Sequence, residues 1–376
     1  MSWRLFWLGL VLLFALYILI QLSGPTRPPI AAGIDLSQAL SDESGAFAPV
    51  IPGRKFEFPA DHGAHPDFKT EWWYFTGHLI SVDGRKFGYQ LTLFRSGIKP
   101  PSDPVSKGSE WNATSIMMGH LALSDPHTGT FRDFERFSRC ALGLAGYLPN
   151  AEKIWLEDWE IRREVGGWSL QASQEGNSFS LFLSDLKPPT LHGEGGYSRK
   201  GPEPKHASYY VSQTRLHTEG SLSLDGRQFQ VSGTSWFDHE WSSEILAPGL
   251  VGWDWFSLQL SDQTELMYFR LRREDGSVEP VSSGALIQAD GGKKDLVNSQ
   301  VKVEVLDRHT AQSGRIYPSK WRIEVPNEGL TLTVTPTQLN QEMSTGVTYW
   351  EGAVSVTGRR GNEPVSGVGF VELTGY

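Results

Sequence analysis

Three short stretches hold the residues that could do chemistry. In "TSWFDHEWSSE", Thr234 to Glu244, Asp238, His239 and Glu240 lie between Trp236-Phe237 and Trp241. A carboxyl group against aromatic surface has its neutral form favoured, so it can donate a proton near neutral pH. The plainer alternative is a strand end whose charges meet solvent. In "GLVGWDWFSLQL", Asp254 sits between Trp253 and Trp255. On a strand it shares a face with Phe256 and Leu258 while the two Trp point the other way. An acid on an apolar face is costly unless it is paired or protonated, although a bond to a neighbouring turn would also satisfy it. In "KTEWWYFTGHL", alternation puts Glu71 with Trp73 and Phe75, and Trp72 with Tyr74, Thr76 and His78. Glu71 is then a second carboxylate, or the acceptor of an indole N–H that orders the wall.

Other chemistries find little support. "DHGAHPDF" offers His62 and His65, but no HExxH run or Cys cluster supplies further metal ligands. No GxSxG elbow is present for a hydrolase nucleophile, and no Gly-rich phosphate loop. Neither a metal nor a cofactor is signalled.

The elements that must position these residues are strands. Short alternating runs are separated by Asp83-Gly84, Asp225-Gly226 and Asp275-Gly276, and Asp-Gly between apolar alternations is a hairpin cue. The chain of 376 residues carries 34 Lys plus Arg against 43 Asp plus Glu, a net charge of −9 that argues against nucleic acid as a partner. Fourteen Trp and forty Gly suit an all-β protein rich in rings and turns. One cysteine, Cys140, excludes an internal disulfide.

The organisation reads as a duplication. "EGSLSLDGRQFQVSGTSWFD" (Glu219 to Asp238) aligns with "EGAVSVTGRRGNEPVSGVGFVE" (Glu351 to Glu372), and "WWYFTGHL" pairs more weakly with "WDWFSLQL". The alignment sets Glu372 opposite Asp238, Leu373 opposite His239, and Asp254 opposite Trp73. Two β units follow, 56–245 and 246–376, the first longer by roughly fifty residues. Ahead of them, Leu5 to Leu22 is free of charge and follows Arg4. That length is enough to cross a bilayer. No small-x-small cleavage site follows it, so residues 1–24 read as a retained anchor in preference to a removed signal peptide. Residues 25–55 read as a linker, with the rest on the periplasmic side of the inner membrane. In a closed barrel, strand rings can be apolar on both faces, one of them lining a cavity.

"FPADHGAHPDFKTEWWYFTGHLISVDGRKFGYQLTLFR", "WFDHEW" and "GWDWFSLQL" together resemble the carotenoid 1,2-hydratase and AttH-like family, over most of the chain after the linker. The resemblance implies two tandem lipocalin-like β-barrels and a hydrophobic, isoprenoid or lipid-like substrate. It also implies acid chemistry by an Asp with His and Trp nearby, for which Asp254, His239 and Trp241 are the nearest matches. On that view Asp254 or Asp238 protonates a C=C bond and His239 orients water. Glu71, Trp72, Trp73, Tyr74, Trp236, Trp241, Trp253 and Trp255 then line the substrate. The other reading is a non-catalytic carrier of an apolar ligand, working with a transport system. "SWFDHEWSSEILAPGLVGWDW" spans the junction of the two copies, which favours a site between the units.

Overall fold

The computed structural model describes residues 47–100, 111–244 and 247–376. The proposed N-terminal anchor and most of the linker lie outside the described residues. Among those described, no helix is long and apolar enough to cross a membrane. They contain strands and short 3₁₀ turns only, arranged as one antiparallel sheet of thirteen strands and another of ten. The turns follow their sequence cues. Asp225 and Gly226 both have positive φ (50° and 79°), the backbone that a two-residue hairpin requires.

Both sheets curl into barrel-like walls. In the second, the edge strands Lys293–Val297 and Lys302–Thr310 are consecutive in the chain, joined only through the turn Asn298–Gln300. A sheet whose two ends are so closely tethered has to wrap round. In the first, the strand Ser115–Asp125 packs on Ala145–Tyr147 and Ile154–Leu156 from the far end of the sheet.

The duplication is written in the strand register. Thr70–Ser81 pairs with Arg227–Ser242, setting Trp73 beside His239 and Tyr74 beside Asp238. Leu250–Leu260 pairs with Glu363–Leu373, setting Asp254 beside Leu373 and Trp255 beside Glu372. Each position meets the counterpart that the sequence alignment gives it.

Alternation then sorts the four consecutive rings. Trp73 and Phe75 point into the first barrel, where Phe75 stacks on Phe237 with centroids 4.3 Å apart and both pack on Trp168. Tyr74 and Trp72 point outward, into a third apolar cluster shared with Trp236, Tyr210, Trp253 and Trp255. This seam joins the two sheets. The expectation that one ring face lines a ligand cavity inside a barrel is corrected here. Trp73, Phe75, Trp168 and Phe237 close-pack against one another, so in their neighbourhood the first barrel has a solid core.

Candidate active site at the seam

Asp238 and His239 are adjacent in sequence and therefore face opposite ways. Asp238 points into the seam with Trp236 and Glu240, and is 3% exposed. Tyr210 Oη donates to its Oδ2 at 2.6 Å, while Trp236 Nε1 (2.6 Å) and Ser212 Oγ donate to Oδ1. Those three donors favour the anion, but burial outweighs them and pushes the carboxyl up to about 7. Tyr210 in turn accepts from Trp255 Nε1 at 3.0 Å, so the acid is held from both sheets.

Across the same seam lies a second acid group. Glu351 and Glu372 are direct cross-strand neighbours on the second sheet. Tyr74 Oη donates to Glu351 Oε1 at 2.6 Å, and Trp253 Nε1 donates to Glu372 Oε1 at 3.0 Å. Glu351 Oε2 is buried without a partner. Burial, reinforced by Glu372, raises the Glu351 carboxyl well above the usual range, and burial raises Glu372 to about 8. Near neutral pH these groups hold protons and can give them up. Glu240, also buried, is answered by Ser208 Oγ and by Lys200 Nζ at 3.0 Å. Trp72 and Trp253 are only partly buried, so the seam meets solvent on their side.

His239, Glu71, Trp73 and Trp241 form a different centre, inside the end of the first barrel. Glu71 accepts from the His65 backbone N–H and from Arg95 Nε at 3.0 Å, and lies 2.8 Å from His65 Nδ1 and 2.9 Å from His239 Nε2. Trp241 stacks on His65 at 3.7 Å. Despite complete burial, which opposes it, these bonds hold the Glu71 carboxyl far below its usual range. Burial pushes the His239 imidazole down. Ligand-type atoms of His65, Glu71 and His239 lie within 4.8 Å of one another, as a metal site requires. Here the carboxylate is already committed to Arg95, whose positive charge also opposes a cation. The role expected for His239, orienting water beside Asp238, is corrected by the strand pleat: the imidazole sits on the other face of the sheet.

Asp254 is likewise on the far face from Asp238. It points into the second barrel with Phe256, is 1% exposed, and takes Arg272 Nε at 2.9 Å and Tyr376 Oη at 2.7 Å on Oδ1. Asp254 is thus taken up by an ion pair with Arg272 inside the second barrel, away from the seam that holds Asp238. Trp253 and Trp255 do face the seam. Tyr210, Ser212 and Glu351 escaped the sequence reading. Glu351 carried the same signal as Asp254, an acid in the alternating run "TYWEGAVSV".

A family profile described as AttH-like matches residues 49–376. The chain belongs to the AttH-like family. The crystal structure of an AttH candidate from Nitrosomonas europaea is 35% identical, covers 88% of this chain and all of its own, and superposes with a TM-score of 0.78. Kievitone hydratase from Nectria haematococca shares 14% identity over 89% of this chain and 96% of its own, with a TM-score of 0.66. CghA bound to Sch210972 shares 13% over 90% of this chain and 97% of its own, with a TM-score of 0.54. At those identities the two likenesses show a common fold. No curated protein matches the sequence.

Proposed function

We propose that this protein adds water across a C=C bond of a hydrophobic, isoprenoid- or lipid-like molecule bound at the seam, with Asp238 as the proton donor. One observation carries the reading: a carboxyl group poised at about 7 is held by Tyr210, Ser212 and Trp236 where the two sheets meet. The acid gives its proton to one alkene carbon, and the π electrons form the new C–H bond. The neighbouring carbon becomes cationic and is shielded by the faces of Trp236 and Trp255. Water adds there, and its surplus proton returns to the Asp238 carboxylate. The fold shared with a hydratase supports this reaction class. The charge-free run from Leu5 to Leu22 supports a tether that keeps the site near bilayer-dissolved substrate.

Incubation with acyclic isoprenoids in ¹⁸O-labelled water tests it. The product gains one labelled hydroxyl, and Asp238→Asn lowers turnover by roughly 10²–10⁴-fold with substrate binding retained. Binding without label incorporation in the wild-type protein sinks the enzyme reading and leaves a carrier of apolar ligands.

A further inference from the structure

Beside the seam, a line of buried hydrogen bonds runs from the outer part of the first sheet into the second. Glu135 Oε1 lies 3.1 Å from His120 Nε2, and His120 Nδ1 lies 2.8 Å from Tyr349 Oη. Glu135 keeps 18% of its side chain exposed, whereas the His120 residue has none. His120 and Tyr349 belong to different sheets and stack with their planes 28° apart. Gln90 Nε2 donates to the same phenol oxygen at 3.2 Å, so the phenol's own hydrogen is not spent on Gln90. Tyr349 and Glu351 are two residues apart on one strand and so share a face. The line stops on that face, which also carries the fully buried and unpartnered carboxyl oxygen of the acid pair, Glu351 Oε2. A buried acceptor on the strand face where such a chain ends is where its next proton would go.

We propose that protons pass between solvent and the Glu351–Glu372 pair through Glu135, His120 and Tyr349. Each step conserves charge and atoms. Glu135 hands a solvent-derived proton to His120 Nε2. His120 releases its Nδ1 proton to the Tyr349 oxygen, and Tyr349 gives its own hydrogen to Glu351 Oε2 after one carboxyl rotation or through one bridging water. Burial and the two acids keep Tyr349 a phenol, so it transfers a proton only while receiving one. Gln90 holds the phenol in place and is a positioning residue. The inference rests on reading the seam as an acid site, and it lets solvent set the protonation of the Glu351–Glu372 pair without wetting the aromatic wall.

The test needs no substrate. Protonated buried carboxyls have a carbonyl stretch separate from that of carboxylates, and the stretch shifts when the acid hydrogen exchanges for deuterium. Glu351→Gln and Glu372→Gln assign the bands in the full-length protein. On transfer to D₂O, Tyr349→Phe and His120→Gln are expected to slow the shift by roughly tenfold or more relative to wild type, as loss of a link in a proton chain requires. Glu135→Gln, at the partly exposed end, slows it as well and serves if a buried variant fails to fold. Equal exchange in wild type and variants overturns the relay and leaves the assignment of Asp238 untouched. Absence of any band lost in the two Glu variants removes the relay's destination and overturns it too.

Discussion

Asp238 and Glu71 show how one residue type acquires opposite properties from its donors. Both carboxyls are buried. Glu71 is met by a guanidinium and two histidines, and stays ionised. Asp238 is met by neutral hydroxyls and an indole, which cannot offset its desolvation. The difference is measurable as a pH dependence of stability. Unfolded, an aspartate binds its proton only below about 4; folded, Asp238 keeps it to about 7. Between those values the native state binds more protons than the unfolded state, so stability falls as pH rises. From about pH 5 to about pH 8 the contribution of this one group declines by on the order of 3 kcal/mol. Asp238→Asn removes it. Urea unfolding of both proteins across that range should therefore show wild type losing ground steadily to the variant. Curves that run parallel would mean that the acid is ionised throughout. Burial lowers His62, to about 3, and also His192; their contributions are common to both proteins and cancel in the difference.

At the scale of elements, the segment before the first strand acts as a stopper. Asp61, His62 and His65 reach into the barrel end, where the His62 carbonyl accepts from Trp73 Nε1 at 3.0 Å and His65 binds both Asp61 and Glu71. Arg95 fastens the stopper by donating to Glu71 and to the His65 and Phe68 carbonyls. Removing one partner of a buried pair leaves a naked charge, at a cost of about 3–5 kcal/mol. Arg95→Met should lose that much in denaturant unfolding, and Glu71→Leu in the same chain should recover a good part. A loss below about 1 kcal/mol in the single variant would show that the network carries no net charge strain. Much of this scale was legible in advance. Alternation along Thr70–Leu79 sorted Glu71 with Trp73 and separated both from Trp72 and Tyr74, because the pleat is a local rule. The repeat gave Glu372 as the counterpart of Asp238, because duplicated segments keep their register. The partner of Asp254 was not legible. Arg272 arrives from the next strand and Tyr376 from the chain end, and no local pattern announces either. The His239 role failed for a related reason: neighbours in sequence were read as neighbours in a site, although a strand sends them to opposite faces.

For the whole molecule, the decisive feature is how thoroughly the two sheets are joined. Gln259 Nε2 donates to the Thr214 and Ser235 carbonyls, both at 2.9 Å, and His78 Nε2 reaches the Gly369 carbonyl at 2.8 Å. Glu265, fully buried in the second sheet, is shared by Lys187 and Arg215 from the first unit. Tyr74–Glu351 and Trp255–Tyr210 cross in both directions, so each sheet completes the other's acid cluster. None of these cross-sheet partners is within twenty residues in sequence, which is why seam residues such as Asp238, Trp236 and Trp255 could be named in advance but not the partners that join them across it. Opening the seam would wet Asp238 and restore its ordinary acidity, so the proposed chemistry requires the sheets to separate only on global unfolding. Calorimetry should accordingly give one transition with equal calorimetric and van't Hoff enthalpies. Glu265→Ala, which strands two cations at the seam, should lower its midpoint without splitting it. Two resolved transitions would instead mean that the barrels melt independently, and an acid held between them would then lose its dry setting whenever the weaker barrel opened.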